Sequence, residues 1–241
     1  MEKKLLKAIL AILFLFPVYA YSVDITFTSS GTIVDGNVYD SVYVQNDGTV
    51  VNMSGGQITD WLSTRDASIF NMSGGQLTGN IAINRSSIFN VSGGTVDIDD
   101  YVVDGGAVSN ISAGNITADR LKTYPASFIP AIPASVVNIN GGNCNFGIFD
   151  IHGTVNIYRG LLYVDGAWIG GWGNDQPIIN IYGSNFSYNA QTQTLTGYLL
   201  DNNLFTVKGI SSSEYARFNL IPEPMSLLFF GFGLLVLRKT K

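Results

Sequence analysis

Four aspartates crowd into one short stretch of the sequence, at Asp97, Asp99, Asp100 and Asp104. In a strand, Asp97 and Asp99 would share a face, and carboxylate oxygens near glycine are the ligands calcium takes. Neither EF-hand spacing nor a Gly-Gly-x-Gly-x-Asp array accompanies them. Solvated turn acids are therefore the preferred reading, with Asp97 and Asp99 kept only as weak calcium candidates and no cofactor expected. His152 is the sole histidine and Cys144 the sole cysteine. That composition excludes His–Cys and multi-His metal sites, and a Ser-His-Asp triad would rest on His152 alone. A structural or solvent-facing role is expected for His152, and burial as a small hydrophobe for Cys144. Trp168 and Trp172 lie in a glycine-rich stretch from Asp165 to Asp175. Their rings are glycan-contact candidates because aromatic faces stack on sugars; packing over neighbouring strands is the competing use.

Glycan cleavage needs acids and bases that converge on one face. The basic residues are few and scattered, so an enzyme is not expected; a polysaccharide lyase or hydrolase stays as the alternative. Between Tyr21 and Pro222 there are seven basic and sixteen acidic residues, a net charge of −9. Such a domain repels phosphate backbones, which argues against nucleic acid as a partner. One cysteine allows no internal disulfide, so the core alone must hold the fold.

The elements that would position these residues come from an internal repeat. Asn52-Met53-Ser54-Gly55-Gly56 recurs as Asn71-Met72-Ser73-Gly74-Gly75 and Asn90-Val91-Ser92-Gly93-Gly94. Looser copies start at Asn110 and Asn138, and fainter ones at Asn156 and Asn180. Apolar residues flank nearly every Asn, as in Val51/Met53, Phe70/Met72 and Val137/Ile139, which is strand alternation with the Asn between two inward side chains. Six positions on comes a second column, Ile58, Leu77, Val96, Ile116, Cys144, Leu162 and Phe186, beyond a glycine corner. A strand–corner–strand unit buries nothing alone, and stacking the copies gives a continuous core. The expected fold is all-β, a right-handed parallel β-solenoid (β-helix) with rungs of about 19–20 residues; a β-sandwich is the runner-up. In rung style it resembles the pectin-lyase-like and autotransporter β-helices. The Asn-x-Ser/Thr matches at Asn52, Asn71, Asn90, Asn110, Asn115 and Asn185 read as hydrogen-bonding ladders at the corners rather than glycan acceptors.

The solenoid is assigned to residues 21–184. Ala118 to Ser135 (118–135), with Pro125, Pro130 and Pro133, reads as a loop insertion because proline cannot pair in a ladder. Residues 185–221 read as short strands that cap the open end.

Both ends are apolar. Leu5 to Phe16 follows Lys3, Lys4 and Lys7 and is followed by Val18-Tyr19-Ala20, the layout of a signal peptide over residues 1–20 cleaved after Ala20, with Ser22 the alternative site. A retained anchor is the competing reading. At the other end, residues 222–241 hold Pro222-Glu223-Pro224, an apolar stretch from Met225 to Leu237, and Arg238-Lys239-Thr240-Lys241. As a helix the apolar stretch reaches roughly 20 Å, short of a ~30 Å bilayer core. Arg238, Lys239 and Lys241 form a basic stop held on the cytoplasmic side. A hydrophobic helix is thus expected at each end.

The tail closely resembles the PEP-CTERM sorting domain, in its motif, apolar helix and basic end. The resemblance implies export by a bacterium with an outer membrane, processing by signal peptidase and exosortase, and a transient stay in the inner membrane. Its implied destination is the cell surface or extracellular matrix, in species that build biofilm from polysaccharide. Together these readings point to a non-enzymatic structural or adhesive surface protein, with extracellular polysaccharide as a candidate partner. The alternatives are a polysaccharide-active β-helix enzyme and a glycan-binding module.

Overall fold

The computed structural model describes residues 23–124, 133–169 and 177–223. The strands β1 (Val23–Phe27), β2 (Gly31–Ile33), β3 (Val38–Val44), β4 (Val50–Met53), β5 (Gln57–Thr64), β6 (Ile69–Met72) and β7 (Gln76–Ile83) are short. β8 (Ile88–Val103), β9 (Val108–Thr123), β10 (Val136–Ile151) and β11 (Thr154–Trp168) run through the glycine corner unbroken. Then come β12 (Ile178–Asn189), β13 (Thr194–Leu199), β14 (Leu204–Val207), one helical turn α1 (Ser212–Tyr215), and β15 (Phe218–Pro222). Among the described residues no helix is long and apolar enough to cross a membrane. The two apolar end segments lie outside the described residues.

The strands stack in parallel, rung upon rung, as a β-solenoid. β4 pairs with β6, β6 with β8, then β8 with β9, β9 with β10, β10 with β11 and β11 with β12. Register keeps Asn52, Asn71, Asn90, Asn110, Asn138, Asn156 and Asn180 in one column. Their flanking residues point inward: Val51, Phe70, Phe89, Val137, Val155 and Ile179 form one buried column, and Met53, Met72, Val91, Ile111, Ile139, Ile157 and Ile181 another. Ile58, Leu77, Val96, Ile116, Cys144 and Leu162 make the third. Where the first column changes from phenylalanine to Ser109, Tyr101 fills the space. Its ring lies 6.0 Å from Phe89 and its hydroxyl is 2.7 Å from Ser109 Oγ. Burial raises the Tyr101 phenol pKa well above its ordinary value, so the group stays protonated and the buried serine keeps a partner.

The Pro-rich excursion is narrower than 118–135. Residues 118–123 belong to β9, with Ala118 paired to Ile98 and Thr123 to Val103. Residues 125–132 lie outside the described residues, and across them the Ser135 N–H and hydroxyl both donate to Tyr124 O, at 3.2 and 2.7 Å. The prolines begin only at Pro125, which is why the ladder survives that far.

At the far end β12, β13 and β14 turn back on one another as antiparallel partners, and β14 pairs parallel to β11 over Leu162–Val164. Tyr215 belongs to α1 rather than to a strand, because Ser211 and Glu214 cap that turn reciprocally. β15 then resumes the parallel stack on β12, with Asn219 opposite Asn180. The cap is thus part antiparallel cover and part final rung.

Candidate functional site

The Asn column stands in mid-strand and faces outward, where corner ladders were expected. Each Asn side-chain N–H donates to the Oδ1 of the Asn one rung before it, from Asn71 onto Asn52 through to Asn180 onto Asn156, at 2.7–2.8 Å. Asn219 adds a last bond to Asn180 at 3.0 Å. Parallel in-register stacking makes this arrangement: identical amides one rung apart can each donate once and accept once.

Two columns border the ladder on the same outer face. On one side run the half-buried Val50, Ile69, Ile88, Val108 and Val136. On the other run Ser54, Ser73, Ser92, Ser112 and Asn140, until Tyr158 and Tyr182 take the same position. The two tyrosine rings stack with centroids 4.4 Å apart and planes 17° off parallel. Desolvation, then the neighbouring Tyr182 hydroxyl, raises the Tyr158 phenol pKa. The change from short to tall side chains leaves a groove of about 550 Å³, lined by Asn110, Ile111, Ser112, Asn138, Asn140 and Tyr158. No charged residue lines it. Sequence reasoning missed this feature, although the signal was present: the second residue after Asn runs Ser, Ser, Ser, Ser, Asn, Tyr, Tyr.

A second cluster gathers at the C-terminal ends of β9, β10 and β11. His152 is buried, which removes the solvent-facing reading, and its Nε2 lies 3.0 Å from Asp150 Oδ1. Lys122 Nζ lies 3.8 Å from Asp150 Oδ2 and 4.7 Å over the Tyr124 ring. Tyr124 stacks on the imidazole at 6.4 Å, and Trp168 meets it edge-on at 5.4 Å with its own surface half exposed. Thr123 Oγ1 accepts from the His152 and Gly153 N–H groups at 3.0 and 2.9 Å. His152 Nδ1 is buried without a hydrogen-bond partner among the described residues. A carboxylate holding an imidazole is the orienting half of a general-base system. The structure brings no nucleophile to Nδ1 among the described residues. Trp168 thus has its ring packed at a steep angle against His152, and Trp172 lies outside the described residues. Lys122 escaped sequence reasoning because it meets Asp150 across the long interval between rungs.

The acidic stretch divides. Asp97 and Asp99 are exposed on one strand face, as alternation required. Asp100 is taken by Arg120, whose Nε and Nη2 donate at 2.8 and 2.9 Å. Asp104 accepts from Gly105 N–H at 2.6 Å. Among the described residues no three His, Cys, Asp or Glu side chains gather to hold a metal ion. The Cys144 thiol is pushed up to about 12 by burial, which leaves it unreactive. Pro222 ends β15, and Glu223 N–H donates to Gly183 O at 3.0 Å; both side chains are exposed. Pro224, Arg238, Lys239, Lys241 and Ala20 lie outside the described residues.

No protein-family model matches the chain, and neither a curated protein nor a solved structure matches it.

Proposed function

We propose that the chain is an exported structural or adhesive component of a bacterial cell surface or extracellular matrix. In this reading residues 1–20 direct export, and Pro222-Glu223-Pro224 with its apolar and basic tail is a PEP-CTERM signal processed by exosortase. The observation that carries the structural role is the uninterrupted outer Asn column. Seven amide–amide bonds tie the rungs together from Asn52 to Asn219 along one lateral face. A regular polar face on a capped rod suits lateral contact and mechanical continuity. The position of the motif supports the sorting role, because Pro222 and Glu223 end the last rung with exposed side chains, within reach of a processing enzyme.

The test of the non-enzymatic part is product release. The purified chain is incubated with neutral and acidic polysaccharides, with and without calcium, and new reducing ends are counted. No turnover is expected. Turnover abolished by Asp97→Ala or Asp99→Ala would overturn the structural reading.

A further inference from the structure

We infer that the groove where Tyr158 rises from the Ser112–Asn140 row binds a chain of a neutral polysaccharide. This names a partner for the adhesive role and rests on that role only for access to the glycan outside the cell.

Three features of the groove select this ligand. The first is the ring. Tyr182 stacks against one face of Tyr158, so the other face turns along the stack toward Asn140 and Ser112, the shorter side chains of the two preceding rungs. The ring is held in place by its neighbour before any ligand arrives. An aromatic face fixed in this way suits the C–H face of a sugar ring, and pre-ordering lowers the cost of binding.

The second feature is the amides. An Asn side chain has two donors and two acceptor positions. In the ladder Asn110 donates to Asn90 and accepts from Asn138, while Asn138 donates to Asn110 and accepts from Asn156. Each therefore keeps one N–H and one lone pair for a ligand, and the ladder prevents the amide from flipping. The two donor–acceptor sets sit one rung apart, about 4.8 Å. Asn140 adds an exposed amide beside the ring. Paired donors and acceptors on a rigid row match hydroxyl groups, which both give and take hydrogen bonds.

The third feature is charge. The lining holds no ionisable side chain except the Tyr158 phenol, and the region from Tyr21 to Pro222 carries a net charge of −9. The exposed Arg159, register partner of Asn140, stands beside the groove, but one cation against that net charge is too little to hold a polyuronate or a sulfated glycan. An extended peptide is disfavoured as well, since the rungs already pair the backbone groups of this face and leave no edge for strand addition.

The experiment uses the full chain held in detergent, titrated with hexasaccharides built from glucose, mannose or galactose, and with hexagalacturonate as the charged probe. Tyrosine fluorescence and calorimetry report binding. At least one neutral hexasaccharide is expected to bind and hexagalacturonate not to. Tyr158→Ala should weaken that binding by about tenfold or more, the scale of one lost stacking contact. Tyr158→Phe should keep it, and Trp168→Ala should leave it unchanged. Ser112→Phe fills the groove at the cost of the serine's bond to Val91 O and should weaken binding as Tyr158→Ala does, and the urea midpoint of each variant separates loss of the site from loss of the fold. Binding by no neutral hexasaccharide, equal binding by Tyr158→Ala, or loss confined to Trp168→Ala would overturn the site. The purified chain is used, so failure of surface delivery leaves this result untouched, and failure of binding leaves delivery untouched.

Discussion

Each early rung turns at two corners, and the two make different demands on sequence. At the first corner, the second glycine of each Gly-Gly pair is left-handed, with φ of +76° at Gly56, +85° at Gly75 and +86° at Gly94. The first glycine is held by proximity: a Cβ on Gly74 would stand 2.4 Å from Ser54 O, and one on Gly93 2.5 Å from Ser73 O. At the second corner the chain is also left-handed, yet the residues are Asp66-Ala67, Arg85-Ser86 and Gly105-Gly106. A Cβ on Gly105 would meet Arg85 N at 3.1 Å, a much looser contact. At the second corner Asp66, Ala67, Arg85 and Ser86 sit at φ +50° to +61°, inside the small left-handed region open to side chains, and the first-corner glycines lie beyond it. Only the first corner adds a collision with the rung beneath it; the left-handed position there is glycine from Gly56 to Gly160, while Ala113 and Arg159 replace the first glycine in two later rungs.

The largest effect expected from this difference is at Gly94. Gly94→Ala puts a Cβ 2.7 Å from Met72 Cε and 2.8 Å from Gly75 O at a φ of +86°. Dihedral strain and overpacking together should cost roughly 3 kcal/mol, read from the urea midpoint. A cost below that of an ordinary surface substitution would break the distinction between the corners.

The column between the corners gives the next effect. Asn90→Ala removes one bond to Asn71 and one from Asn110. At about 0.5–1.5 kcal/mol each, the loss should be about 1–3 kcal/mol. Asn219→Ala removes the single terminal bond to Asn180 and should cost about half as much. Equal losses at the two positions would mean that the ladder does not act as a chain of pairwise bonds.

The smallest effect has the opposite sign. Ala67 sits at φ +53°, and relief of left-handed strain is worth ~1–2 kcal/mol against ~0.5–1 kcal/mol of added chain entropy for glycine. Ala67→Gly should therefore raise stability by under about 1 kcal/mol in the same urea assay. A clear loss would show that the methyl group contributes packing that outweighs its strain.

The same contrast explains what the sequence disclosed. The first corner and the columns beside it were legible because the left-handed glycine recurs from Gly56 to Gly160 even where its neighbour becomes Ala113 or Arg159, and the solenoid follows from that recurrence. The second corner was hidden, since Asp66-Ala67 and Arg85-Ser86 carry no glycine to mark a turn. Asn219 was missed for another reason: it lies 39 positions beyond Asn180, so it falls outside the period. The α1 turn was available as Ser211-x-x-Glu214, a capping box in a stretch otherwise read as turn and strand. Neither the Tyr158 groove nor the Lys122–Asp150–His152 contact is local. The first depends on side-chain height changing from rung to rung, and the second on the long interval that places β10 on β9.

The claim that joins this rod to its place in the cell is sorting through the tail. Pro222, Glu223 and Pro224 are replaced together by alanine, and tail length and protease accessibility on intact cells are compared with those of the unmodified chain. The account predicts that the unmodified chain is trimmed and reaches the surface, while the triple variant keeps its tail and stays with the inner membrane. Equal trimming and equal surface exposure of the two chains would contradict it.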